Sequence, residues 1–157
     1  MNHLKFQQDF LTERAKGSVE RNTVWCKKCD TAVALCLNAF VMVFVDNKDV
    51  LIDLSKFQRA DGMERIIQRA RTSNVEANLL TPTDEYRLYS RNRKVRMYNA
   101  RAWRTGIDQT LLKYFDGATM KLYQLEENGT ILITERGKGF EEAVGIVLPI
   151  NLKAKQN

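Results

Sequence analysis

Residues 39–54 read AFVMVFVDNKDVLIDL. The unbroken apolar run from Phe40 to Val45 leaves neither face of a strand polar, the pattern of a central strand covered on both sides. Asp46-Asn47-Lys48-Asp49 is a cluster of turn formers, and apolar residues resume at Val50. The spacing therefore predicts a β-hairpin around which the core forms.

Upstream, Leu4, Phe6, Phe10 and Leu11 give residues 4–16 one apolar stripe, with Asn2 as a cap and Gly17-Ser18 as a stop, which predicts a short helix. Residues 19–38 predict one or two strands interrupted near Lys27-Lys28-Cys29-Asp30. Downstream, Asp61 and Glu64 have capping-box spacing, and Met63, Ile66, Ile67 and Ala70 recur at helical spacing up to Thr72. Residues 73–84 are polar and contain Pro82, which predicts a loop. Residues 106–115 predict another short helix, with Ile107, Leu111, Leu112 and Phe115 on one side. A second hairpin is predicted from residues 120–125 and 130–134 across Glu126-Glu127-Asn128-Gly129. A last strand over residues 143–150 follows Gly137-Lys138-Gly139, and Pro149 makes it an edge or marks its end. Residues 153–157 are expected to fray. These elements predict an α+β fold of antiparallel β-hairpins with two or three short helices, and 157 residues suit a single domain.

Apolar residues make up 44% of the chain and charged residues 28%, as in ordinary globular proteins. No stretch approaches the roughly 18 apolar residues of a membrane span, and the opening MNHLKFQQDFLTER has no apolar signal core. A cytoplasmic protein without a membrane partner is expected. Cys26, Cys29 and Cys36 do not make a secreted disulfide framework, so reduced thiols are expected. Cys26-Lys27-Lys28-Cys29 has the spacing of half a zinc site, but only Cys36 and His3 remain to complete it. Cys29 and Cys36 read instead as small core side chains. No metal or other cofactor is expected. The sole histidine lies near the N-terminus, which argues against a His-based triad. Asp30 with Asp46-Asn47-Lys48 imitates the carboxylates of a metal-dependent nuclease, yet turn chemistry accounts for residues 46–49. No GxxxxGK[ST] loop is present, and an enzyme is not expected.

Net charge is +6 and uneven. Residues 56–104 hold 12 Lys+Arg against 5 Asp+Glu, or +7, while the remaining 13 against 14 come to −1. The excess is sharpest in residues 85–104, EYRLYSRNRKVRMYNARAWR. A two-residue turn at Asn92-Arg93 would pair Arg91 with Lys94, Ser90 with Val95, Tyr89 with Arg96, Leu88 with Met97 and Arg87 with Tyr98. Alternation then places Arg87, Tyr89, Arg91, Lys94, Arg96 and Tyr98 on one face, and Leu88, Ser90, Val95 and Met97 on the other. Guanidinium groups contact phosphates and tyrosine rings stack on bases, so the first face is a candidate nucleic-acid surface. Arg93 at the turn and Arg101 and Arg104 beyond it belong to the same basic stretch. Arg65 and Arg69, with Arg71, lie away from the apolar stripe of the helix predicted up to Thr72 and could extend the surface. A solvated sheet face and a solvated helix back account for the same charges without a ligand. Trp103, between Arg101 and Arg104, reads as a core anchor.

Residues 95–152 run strand (VRMYNAR), short helix (IDQTLLKYF), strand (ATMKLYQL), turn, strand (GTILITE), and a final strand ending in VGIVLPINL. This order resembles the closing half of a DNA sliding-clamp domain, whose terminal strand carries a similar Leu/Met-Pro-hydrophobic ending. The resemblance implies helices against curved sheets, closed into a ring around duplex DNA with basic residues on the inner surface. The chain holds at most one such module, so a ring would be a homo-oligomer. The first half, including residues 61–72, does not follow the family pattern.

The expected function is a non-enzymatic protein that binds nucleic acid or a nucleoprotein complex through the basic, tyrosine-bearing hairpin, mainly by phosphate contacts and with little sequence specificity. The alternative is a small inhibitor or interaction protein, for example of phage type, that covers a larger host or defence protein which itself handles nucleic acid. Electrostatic steering would speed that encounter.

Overall fold

The computed structural model describes residues 1–17, 19, 22–72, 77–90, 93–137 and 141–152. In chain order these form helix α1 (His3–Ala15), strands β1 (Thr23–Cys29), β2 (Ala32–Leu37), β3 (Val41–Asp46) and β4 (Gln58–Arg59), and helix α2 (Met63–Arg71). Strands β5 (Thr81–Ser90), β6 (Arg93–Asn99), β7 (Arg104–Asp108), β8 (Lys121–Gln124), β9 (Ile131–Arg136) and β10 (Glu141–Val147) follow. One sheet has the order β4-β1-β2-β3-β10-β9-β8, and a second has the order β5-β6-β7. Apart from the short parallel contact of β1 with β4, neighbouring strands are antiparallel. The architecture is α+β.

Both faces of the large sheet are covered, which explains the continuous apolar runs of β2 and β3. On one face, Val33, Leu35, Val43, Val45, Ile131 and Ile133 meet Phe6 and Phe10 of α1, Tyr98 and Ile107 of the small sheet, and Leu112 and Phe115. On the other, Cys26, Ala34, Cys36, Met42, Phe44 and Ile146 meet Ile67 and Ala70 of α2. The central strand expected at residues 40–45 is present as β3.

The hairpin expected across residues 46–49 does not form. β3 pairs with β2 on one side, through a turn in which Asn38 and Ala39 have φ of 54° and 60°, and with β10 on the other. With both edges occupied, residues 50–54 have no strand position beside it. Asn47–Asp49 is a 3-10 turn, and Leu51 is 70% exposed beyond it. Its amide donates to Gln7 Oε1 at 2.7 Å, and Gln7 Nε2 donates to the Asp49 carbonyl at 3.0 Å, so α1 holds this segment.

Asn2 caps α1 by accepting from the Lys5 amide at 3.0 Å. Its buried stripe is Phe6, Gln7 and Phe10, while Leu4 and Leu11 are exposed, contrary to expectation. The expected capping box is also absent from α2. Gly62 occupies the N-cap, and Asp61 pairs with Arg59 at 2.7 Å. Residues 81–84 belong to β5 rather than to a loop, and Pro82 is tolerated because β5 is an edge. Residues 106–108 belong to β7, and only Gln109–Tyr114 is helical, a 3-10 segment capped by Asp108. The 126–129 hairpin turn is as read, with Asn128 at φ 63°. β10 is not an edge; it ends at Val147, before Pro149. Residues 153–157 lie outside the described residues.

Two short ladders join the sheets. The Leu80 amide donates to the Leu122 carbonyl at 2.9 Å, and the Gln124 amide to the Asn78 carbonyl at 3.1 Å, so the approach to β5 runs along β8. The chain leaving β10 reaches the small sheet, where the Ile150 amide donates to the Gly106 carbonyl at 2.8 Å. Trp103 is half-buried and ties the same junction, donating from Nε1 to Oε1 of the fully buried Gln124 at 2.7 Å.

Candidate nucleic-acid interface

β7 pairs with β6 only between Val95↔Asp108 and Asn99↔Arg104. β5 and β6 continue past that end of β7, so the distal part of their hairpin projects beyond the three-stranded region. Residues 86–96 contain five cationic residues and no acidic one. Arg91 and Asn92 lie outside the described residues, so Arg91 and the predicted turn are not placed; Arg93 belongs to β6.

The register differs from expectation. Tyr86 pairs with Arg96, Arg87 with Val95, and Leu88 with Lys94, three positions away from the predicted alignment. An odd shift exchanges the faces. Ser90 already pairs with Arg93, two positions from the predicted alignment, and the irregularity on β5 between Leu88 and Ser90 adds the third; a further irregularity follows between Pro82 and Tyr86. The Thr83 hydroxyl fills this further irregularity, donating to the Met97 carbonyl at 2.8 Å and accepting from the Glu85 amide at 3.2 Å.

On one face, Tyr86 and Leu88 accompany Lys94 and Arg96. Arg96 lies over the rings of Tyr86 and Tyr98, 5.6 and 6.0 Å from their centroids, and donates from Nε to the Thr83 carbonyl at 2.7 Å. Its guanidinium is thereby fixed in direction, and Asp84 is 3.9 Å away. Tyr98 is 4% exposed and belongs to the core, so the predicted stacking role fails for it. Tyr86 and Leu88, 51% and 73% exposed, occupy the outward positions instead. Sequence reasoning missed both, because their outward position follows from their pairing with Arg96 and Lys94, which their own spacing does not signal.

On the other face, Tyr89 packs against Val95, Met97 and Ile150, corrected from the basic face to a satellite core. Arg87 lies across from Val95 and donates from Nε to Glu85 Oε1 at 2.7 Å. Arg104 also donates to Glu85, through the other carboxylate oxygen, and from Nε to Asn99 Oδ1 at 3.2 Å. The Arg104 and Arg87 hydrogen bonds hold the Glu85 carboxyl below the usual carboxylate range. Beside this group lies a notch of about 130 Å³, lined in part by Arg87, Arg104, Gly106, Glu127, Asn128 and Asn151. Arg93 approaches the buried Asp108 at 3.8 Å.

The small sheet therefore brings Arg87, Arg93, Lys94, Arg96 and Arg104 onto one structural unit. Arg101 is exposed in the β6–β7 connection, at the end opposite the hairpin tip. Arg65 and Arg69 are not brought to it. They are exposed on α2, which covers the other face of the large sheet, and Arg69 is bound to Glu126 at 2.6 Å.

Of the two cysteines read as core side chains, Cys36 is one and Cys29 is not. Cys26 and Cys36 are buried, and Cys29 is exposed, with its thiol lowered by a hydrogen bond to Thr31. Burial pushes the Cys26 and Cys36 thiols up to about 11. Among the described residues no three His, Cys, Asp or Glu side chains gather to hold a metal ion. Asp30 is paired with Lys27 at 2.6 Å.

No protein-family model, curated protein or solved structure matches the chain.

Proposed function

We propose that this is a non-enzymatic protein that binds nucleic acid or a nucleoprotein complex, with the β5–β6 hairpin laid against the phosphate backbone. The supporting observation is the projecting hairpin with five cations and no acid between residues 86 and 96. Arg93 and Lys94 meet phosphates near the tip, Arg96 is oriented by its two tyrosines, and the exposed Tyr86 ring offers a stacking surface. Phosphate contacts dominate such binding, so affinity depends strongly on salt and weakly on sequence.

The test is binding of labelled duplex DNA, single-stranded DNA and RNA at two salt concentrations, by the wild type and by Arg93→Glu/Lys94→Glu. Micromolar or tighter binding is expected at low salt. The variant is expected to lose about tenfold or more, with a shallower salt dependence. Absence of binding at low salt removes this reading.

The exposure of Leu88 supports a second reading, in which the same tip docks on an acidic protein surface. A tight, stoichiometric protein complex without affinity for free DNA or RNA would select it.

A further inference from the structure

We infer that Arg87 and Arg104 form a phosphate clamp at the base of the hairpin, which the carboxylate of Glu85 occupies until a phosphate group displaces it. The inference rests on the proposed interface and names one phosphate subsite within it. Two guanidinium groups reach one carboxylate from different strands, Arg87 to one oxygen and Arg104 to the other. Planar oxyanions bound between arginines have this arrangement, and a phosphate presents the same oxygens in greater number.

Charge favours exchange. The clamp carries two positive charges against the single negative charge of Glu85, so a terminal phosphomonoester or pyrophosphate group neutralises it more fully, whereas a backbone phosphodiester matches Glu85 charge for charge and displaces it with the help of the other hairpin contacts. All three side chains are accessible, with relative exposures of 39–47%, so displacement needs only rotation of Glu85 and no opening of the core. Asn99 already fixes Arg104 through its Oδ1. The adjoining notch gives the phosphate room, with Asn128 and Asn151 on its walls and Gly106 in its lining. An added Cβ at Gly106 would come 2.6 Å from Val95 Cγ1. Glu127 also lines the notch and repels an anion there, which places the phosphate on the arginine side.

The test compares Glu85→Gln with Asp84→Asn. Both remove one negative charge from the same strand, but only the first takes the carboxylate out of the clamp. Binding of inorganic pyrophosphate is followed by phosphorus NMR, and binding of labelled single-stranded DNA by anisotropy. Thermal melts establish that each variant is folded. Glu85→Gln is expected to bind both probes at least about threefold tighter than the wild type, Asp84→Asn to match the wild type for pyrophosphate, and Glu85→Gln/Arg104→Gln to lose the gain. Separately, Arg104→Gln alone is expected to weaken DNA binding and reduce the salt slope by about one contact.

Equal gains in Glu85→Gln and Asp84→Asn, or an Arg104→Gln variant that binds DNA like the wild type, would overturn the clamp. If salt-dependent DNA binding persists with those results, the hairpin interface stands without it. Pyrophosphate bound by the wild type and more tightly by Glu85→Gln, with no DNA bound by any variant, supports the clamp while removing the nucleic-acid reading, whereas pyrophosphate bound only by Glu85→Gln would overturn displacement of Glu85 by phosphate.

Discussion

An added methyl group at Gly145 would lie 2.5 Å from the Met42 carbonyl oxygen and 2.7 Å from the Phe115 ring. Gly145 pairs with Val43 on one side and Ile133 on the other, so neither backbone nor ring can retreat cheaply. Gly145→Ala is expected to cost about 3 kcal/mol, read as a lower denaturation midpoint at unchanged slope. Asp9 gives a pH-dependent counterpart. Burial raises its pKa, but hydrogen bonds from Lys113, Tyr114 and Lys5 outweigh it and bring the value from 3.8 to about 2. Its contribution is therefore complete above about pH 4 and is lost as pH falls towards 2. Melting temperatures of wild type and Asp9→Asn should converge across that interval. At this scale the sequence was readable where burial follows residue type, as for Phe6 and Phe10. It was misleading for Tyr98, whose neighbours suggested solvent while its ring fills the core.

Helix α1 is anchored through the first residue. The Met1 ammonium donates to Glu135 Oε2 at 2.5 Å, the other carboxylate oxygen accepts from the Asp116 amide, also at 2.5 Å, and the Asn2 amide donates to the Tyr114 carbonyl at 2.7 Å. Both members of the ion pair are largely buried. Glu135→Gln leaves the ammonium uncompensated and is expected to cost about 3 kcal/mol; acetylating the amine should destabilise in the same direction, measured by chemical denaturation. Most elements were legible because their signals are local: the apolar runs of β2 and β3, the Asn-Gly turn before β9, the cap of α1. The errors came from competition between distant segments. Residues 50–54 carry a strand's composition, yet β2 and β10 already flank β3. The alignment of β5 with β6 was missed because Ser90 pairs with Arg93 and because an irregularity follows between Ser90 and Leu88, neither of which the spacing of either strand announces. The basic stretch was identified, but its faces were not.

At the scale of the molecule, the 78–80 ladder, the Ile150 ladder and the shared core around Tyr98 and Ile107 bind the two sheets together. The protein has two tryptophans, Trp25 on β1 of the large sheet and Trp103 at the entrance to the small one. In each single-tryptophan variant, Trp25→Phe and Trp103→Phe, fluorescence and far-ultraviolet circular dichroism should report coincident unfolding transitions, and separated midpoints within one variant would show that the sheets melt independently. The position of β10 has a consequence for synthesis. β1, β2 and β3 form a local meander, as do β8, β9 and β10, but the seam between them joins Val43 to Gly145. A growing chain can therefore assemble its first three strands early while one edge of β3, apolar on both faces, waits for Gly145–Val147, roughly a hundred residues later in the chain. Ribosome-stalled or truncated chains ending before β10 are expected to leave that edge open and to recruit chaperones or aggregate, whatever the stability of the finished protein.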